Sequence, residues 1–164
     1  MRYIMLLGFC VSVFLSSCGF QLRGVNSGQL SEQFKKTYLS ETEKSDNNDF
    51  YQLVEKLIIA SGGRLSDKDS ANVTVLLSPV TMNSRQIALV REGLLKEYER
   101  TYKVTVTILD ANNNAQLGSR VITTVKDIQL NDKQVLAGEE QIRITDKEAY
   151  HNLAQSILLY LQAF

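Results

Sequence analysis

From Glu97 to Ile108 the chain alternates without a break. Tyr98, Arg100, Tyr102, Val104, Val106 and Ile108 fall on one side, and Glu97, Glu99, Thr101, Lys103, Thr105 and Thr107 on the other. Successive side chains of a strand point to opposite faces, so this period of two predicts a half-buried strand with one apolar and one wet face. A lone strand or hairpin is not stable in water, so the pattern demands neighbouring strands and a second layer. The same alternation runs through Ala71, Val73, Val75 and Leu77, where Pro79 marks an edge or a break. It resumes from Val80 and Met82 to Val90, and again through Leu117, Val121, Thr123 and Val125. Arg91-Glu92-Gly93 and the segment Asp110 to Asn114 have turn composition, so these strands read as an antiparallel meander. Gln33 to Ser40, around Phe34, Lys36 and Tyr38, reads as a first strand, followed by a polar loop from Glu41 to Asn48.

Two segments switch to helical spacing. Phe50, Leu53, Val54, Leu57 and Ile58 form one stripe within Asp49 to Ala60, with Asp49 suited to the N-cap. Gly62 and Gly63 then supply a left-handed residue to end that helix. Near the C-terminus Tyr150, Leu153, Ala154, Ile157, Leu158 and Leu161 form a second stripe. Val135, Glu139, Ile142, Asp146 and Ala149 extend it upstream, predicting a helix from near Asp132 with a kink around Ile144 to Asp146. Both stripes need the apolar face of the sheet as partner. The expected fold is α+β, a two-layer sandwich of about four mostly antiparallel strands with two helices packed on one face. It forms a single domain over 30–164, with the first strand, helix and second strand making a right-handed crossover.

The N-terminus has a different character. Arg2 precedes an apolar run from Ile4 to Leu15, about half the ~20 residues of a spanning helix, and Ser16 and Ser17 lead into Cys18. This is the layout of a secretory signal peptide, and Leu15-Ser16-Ser17-Cys18 resembles the bacterial lipobox. On that reading residues 1–17 are a lipoprotein signal peptide that is removed. Cys18 becomes the lipidated N-terminus, and 18–29 are tether and lead-in. The alternative is a plain cysteine behind a conventional signal. Two or more acyl chains anchor a protein stably, and Gly19, where Asp would mark inner-membrane retention, favours the outer membrane.

Chemistry is sparse. Eighteen Lys and Arg balance eighteen Asp and Glu, which argues against nucleic-acid binding. His151 is the sole histidine and has no second ligand at metal spacing, so no metal or cofactor is expected. Glu139, Glu140, Asp146 and Glu148 read as helix-surface charges rather than an acid–base pair. Gly62-Gly63 follows a helix, the wrong context for a phosphate loop, and no Ser sits in a nucleophile elbow. A non-enzymatic protein is therefore expected. The Thr-rich strand faces can remain solvated or pack on a polar surface. Between residues 85 and 103, Arg85, Arg91, Lys96, Arg100 and Lys103 outnumber Glu92, Glu97 and Glu99, a modest pointer to an anionic ligand.

Ser17-Cys18-Gly19-Phe20-Gln21-Leu22-Arg23-Gly24 resembles the start of the mature lipopolysaccharide-assembly lipoproteins, the LptE family. Val90-Arg91-Glu92-Gly93 with Glu97-Tyr98 is similar to that family's central hairpin, and Gln134-Val135-Leu136-Ala137 to the start of its last helix. The resemblance implies a lipid-anchored protein of the outer membrane, facing the periplasm or lying within a barrel lumen. Its partners would be an LptD-like outer-membrane β-barrel, which it plugs and helps assemble, and lipopolysaccharide, whose insertion into the outer leaflet it assists. It also implies a lipopolysaccharide-contacting Arg91. Gly138 stands where relatives carry a second basic residue, so Lys133 or Arg143 is the substitute. The rival reading is an auxiliary lipoprotein of a lipid-transport ABC system that binds a periplasmic partner.

Overall fold

A computed structural model describes residues 29–43, 48–90, 95–110, 115–131 and 133–164, apart from the Val90 side chain. Cys18, Arg91, most of the tether and the segments 91–94 and 111–114, where the sequence reads as turns, lie outside these residues. The order is β1 (Lys36–Glu41), α1 (Asn48–Ala60), β2 (Arg64–Leu65), β3 (Val73–Leu77), β4 (Thr81–Val90), β5 (Leu95–Asp110), β6 (Gln116–Asn131) and α2 (Val135–Gln162). Two helices and one mixed sheet make the α+β sandwich that the sequence predicts.

β5 organises the sheet. β6 pairs along one edge, from Leu95↔Asn131 to Leu109↔Gln116. Two strands share the opposite edge: β3 pairs Leu77 with Val106, and β4 begins again at Thr81 with Lys103. Pro79 explains the gap, because it has no N–H to give a ladder. Ser78 bridges it with both of its groups. Its N–H donates to the Thr105 carbonyl and its Oγ accepts from the Thr105 N–H, each at 2.9 Å.

Three findings differ from the sequence reading. Residues Glu32–Lys35 form a 3-10 turn that buries Phe34, so β1 starts only at Lys36. The two-residue β2 was not expected; it and β3 both pair in parallel with β1, so the sheet has six strands and a parallel side. α2 runs without interruption for 28 residues, starting at Val135. Its buried line is Thr145, Ala149, Leu153, Ile157 and Leu161, with Ala154 beside it, while Val135 stands 64% exposed. No proline or glycine interrupts the helix near Ile144, so nothing breaks its hydrogen-bond ladder there.

The core lies between one sheet face and the helices. Tyr102, Val104, Val106 and Ile108 of β5 meet Val73, Val75 and Leu77 of β3, under Phe50, Val54 and Ile58 of α1 and the buried line of α2. Each such side chain fully withdrawn from water contributes about 1.5–3 kcal/mol. Gly62, at φ 85°, turns the chain out of α1 as expected. At Gly63 a Cβ would come within 2.8 Å of Ile58 Cγ2 and 3.0 Å of Leu30 Cδ1, so the close approach requires glycine. Leu30, whose N–H donates to the Ser61 carbonyl, is the first described residue in the core.

Candidate functional site

The helices leave the other sheet face uncovered. The β5–β6 register puts Thr101, Lys103, Thr105 and Thr107 opposite Val125, Thr123, Val121 and Ser119, and β4 adds Thr81 and Asn83. Thr107 and Ser119 share a hydrogen bond at 3.0 Å, and Arg85 pairs with Glu99 at 3.1 Å. Val121 and Val125 are 58% and 50% exposed within this hydroxyl-rich surface. β4 continues the sheet beyond the helical layer, with Met82 and Leu89 exposed, and a bulge at Ile87 reverses which face its later residues occupy. The result is a broad, mostly uncharged polar face with exposed hydroxyls and a few apolar contacts. It suits packing against another polar surface.

On the helical side, a buried cluster ties the sheet to α2. Arg100 occupies a position on the apolar side of β5 and is 7% exposed. Its Nη1 lies 2.9 Å from Asp146 Oδ1, and the same oxygen accepts from the Tyr102 hydroxyl. Burial and that bond hold the Tyr102 phenol well above the usual tyrosine range. Tyr150 packs edge-on to Tyr102 at 6.2 Å and against Phe50 at 5.7 Å, joining both helices to the cluster. Asp146 is therefore a buried-ion partner and not the free surface charge read from the sequence. The signal was available: an arginine in the apolar register of a strand requires an acid facing it.

Of the candidate ligand residues, Lys133 and Arg143 are described, and they sit at different points along the chain into α2. Lys133 precedes α2, exposed, with its N–H on Asn131 Oδ1 at 3.0 Å. Arg143 is further along α2, about 12 Å from the helix start at 1.5 Å per residue. Its guanidinium forks onto Glu140 at 2.6 and 2.8 Å, which holds the Glu140 carboxyl below its usual range. Arg143 also borders a groove beside α1 with Lys56 and Lys147, two residues that sequence reasoning did not single out. His151 is exposed, its Nε2 2.9 Å from the Gln155 amide. Among the described residues, no three His, Cys, Asp or Glu side chains cluster as a metal site.

A family model described as LptE, lipopolysaccharide-assembly, matches residues 34–161. The chain belongs to the LptE family. That membership gives it a role in lipopolysaccharide assembly. A search of curated proteins returned no match. Among solved structures, the chain is similar to an uncharacterized lipoprotein B from Nitrosomonas europaea, at 23% identity and a TM-score of 0.71 over 89% of this chain and 92% of that one. It is also similar to a minor lipoprotein from Acinetobacter baumannii, at 20% identity and a TM-score of 0.66 over 79% of this chain and 92% of that one. Rare lipoprotein B from Shewanella oneidensis gives 19% identity and a TM-score of 0.65 over 78% and 94%. At these identities the likeness is one of fold. The LptE match covers the sheet and nearly all of α2, the elements that form the open face and the groove.

Proposed function

We propose that the protein is an outer-membrane lipoprotein, anchored through acylated Cys18, that plugs and helps assemble an LptD-type β-barrel and assists lipopolysaccharide insertion. The observation that carries this reading is an LptE-family domain with a wide hydroxyl-rich sheet face left open by its helices. Lumens of outer-membrane barrels are polar, so Thr81, Thr101, Thr105, Thr107, Ser119 and Thr123 can exchange hydrogen bonds with water for bonds to the barrel wall. The protein itself performs no bond chemistry; its contribution is shape, tethering and charge. Arg91, Lys133 and Arg143 are proposed contacts for lipopolysaccharide phosphates, through charge-assisted hydrogen bonds.

The test is purification of the acylated protein in mild detergent, followed by identification of what stays bound. Retention of a barrel of porin size or larger is the expected result. Retention of a periplasmic transport component in its place would favour the auxiliary-lipoprotein reading. Arg91→Asp is expected to weaken lipopolysaccharide binding in a direct assay without loss of the barrel.

A further inference from the structure

A groove of about 560 Å³ runs between α1 and α2, on the opposite side of the molecule from the open sheet face. Its rim is cationic. Lys56 of α1 faces it from one side, and Arg143 and Lys147 of α2 from the other. Lys56 and Lys147 have no ion-pair partner among the described residues, whereas Arg143 is held on its outer side by Glu140. Two acids also line the groove. Asp146 is neutralised from behind by buried Arg100, which leaves Asp49 at the end of α1. Its apolar lining is half-buried Leu53 with Tyr150, and 46% exposed Ile144 lines an adjoining pocket that shares Leu53, Arg143 and Lys147 and also holds Lys126 paired with Glu148.

The geometry points to this groove as a binding site for a phosphorylated amphiphile, with the phosphate on Lys56, Lys147 and Arg143 and an acyl chain along Leu53 and Ile144. Its volume is in the ordinary range for a small-molecule site. A phosphate gains charge-assisted bonds from Lys56 and Lys147, and Arg143, whose fork already holds Glu140, adds its remaining N–H groups and its charge. The walls explain why a lipid suits the groove better than an acidic peptide. Both are helices whose backbone groups are bonded internally, so a bound peptide would lay its own amides on Leu53 and Ile144 without partners. An acyl chain has no such groups to satisfy. The inference deepens the reading above, since the natural ligand would be the phosphorylated glycolipid of the assembly path. It places the contact on the two helices.

The probe is monomeric dioctanoyl phosphatidic acid, titrated into the full domain and followed by amide chemical shifts. Dioctanoylglycerol, inorganic phosphate and an acidic decapeptide serve as separate arms. The expected result is saturable shifts centred on residues 53–56 and 143–151 with phosphatidic acid, and at least tenfold weaker binding for glycerolipid and for phosphate alone. The exposed pair Lys56→Glu/Lys147→Glu is expected to reduce affinity tenfold or more, and Lys56→Gln/Lys147→Gln by a smaller factor, with the unliganded spectrum otherwise preserved. Three results overturn the site: shifts mapping to the sheet face, binding within twofold of wild type in the Glu pair, or the decapeptide or free phosphate binding as tightly as the lipid. Barrel co-purification of the same Glu pair is read separately, so loss of the groove and loss of the plug reading are distinguishable.

Discussion

The two ends of β5 sit in different surroundings. From Tyr102 to Ile108 the inward side chains are fully buried beneath both helices, against β3 on one edge and Ile122 of β6 on the other. From Leu95 to Glu99 none is fully buried, and Leu89 of β4, opposite Lys96, is exposed. The backbone pairing is continuous through both halves, so the ladder does not distinguish them. Packing does. Stability resides chiefly in the covered half, and the overhanging half is held by strand pairing, a few side-chain bonds and one buried anchor, Ile128 of β6 opposite Tyr98. It is thus free to serve as an interaction element.

The largest effect should come from the joint between the halves. Asp146→Ala leaves the Arg100 charge buried and unpaired, and a loss of about 3–5 kcal/mol is expected in denaturant unfolding. Adding Arg100→Met to that variant should recover most of the loss, which separates the stranded charge from the lost contact. Leu153→Ala, in the covered half, should cost about 2–5 kcal/mol through lost burial and a cavity. If Leu153→Ala proved as mild as a surface change, the contrast between the halves would collapse.

Alkaline titration gives an intermediate effect. Tyr102 is raised above the ordinary tyrosine range by burial and its bond to Asp146, and Tyr51, whose hydroxyl donates to the Leu39 carbonyl, is pushed up to about 12, chiefly by burial. The folded state therefore keeps these protons more tightly than the unfolded chain, where tyrosine titrates near ~10. Their contribution is complete below about pH 10 and declines as pH rises from there toward the folded values. Tyr51→Phe should flatten that decline in stability measured from pH 9 to 12. The smallest effect belongs to the overhang: Leu89→Ala should change stability by no more than about 0.5 kcal/mol.

Much of the architecture is readable from periodicity alone. The alternation from Tyr98 to Ile108 marks the covered face, and the stripe from Phe50 to Ile58 marks the covering helix. Local pattern fails where tertiary context decides. Arg64 and Leu65 form a strand only because β1 offers a parallel edge, which no two-residue pattern can announce. β6 continues past Val125 to Asn131 because β5 remains beside it, although Lys126 and Asp127 interrupt the apolar alternation. The upstream stripe of α2 misled because Val135 begins a turn beyond the sheet's cover. Asp146 looked like solvent-facing charge because its partner Arg100 is 46 positions away in the chain and carried its own warning, a cation in an apolar register. The basic groove was illegible for a similar reason: Lys56 and Lys147 meet only when two helices pack side by side.

A photo-reactive side chain placed at Thr123, in the acylated protein within intact cells, most directly addresses whether the open face meets a barrel. The account predicts a single heavy crosslinked product containing an outer-membrane β-barrel, absent when the same group is placed at exposed Gln155 on α2. Crosslinking from Gln155 but not Thr123, or capture only of periplasmic components from both, would contradict it.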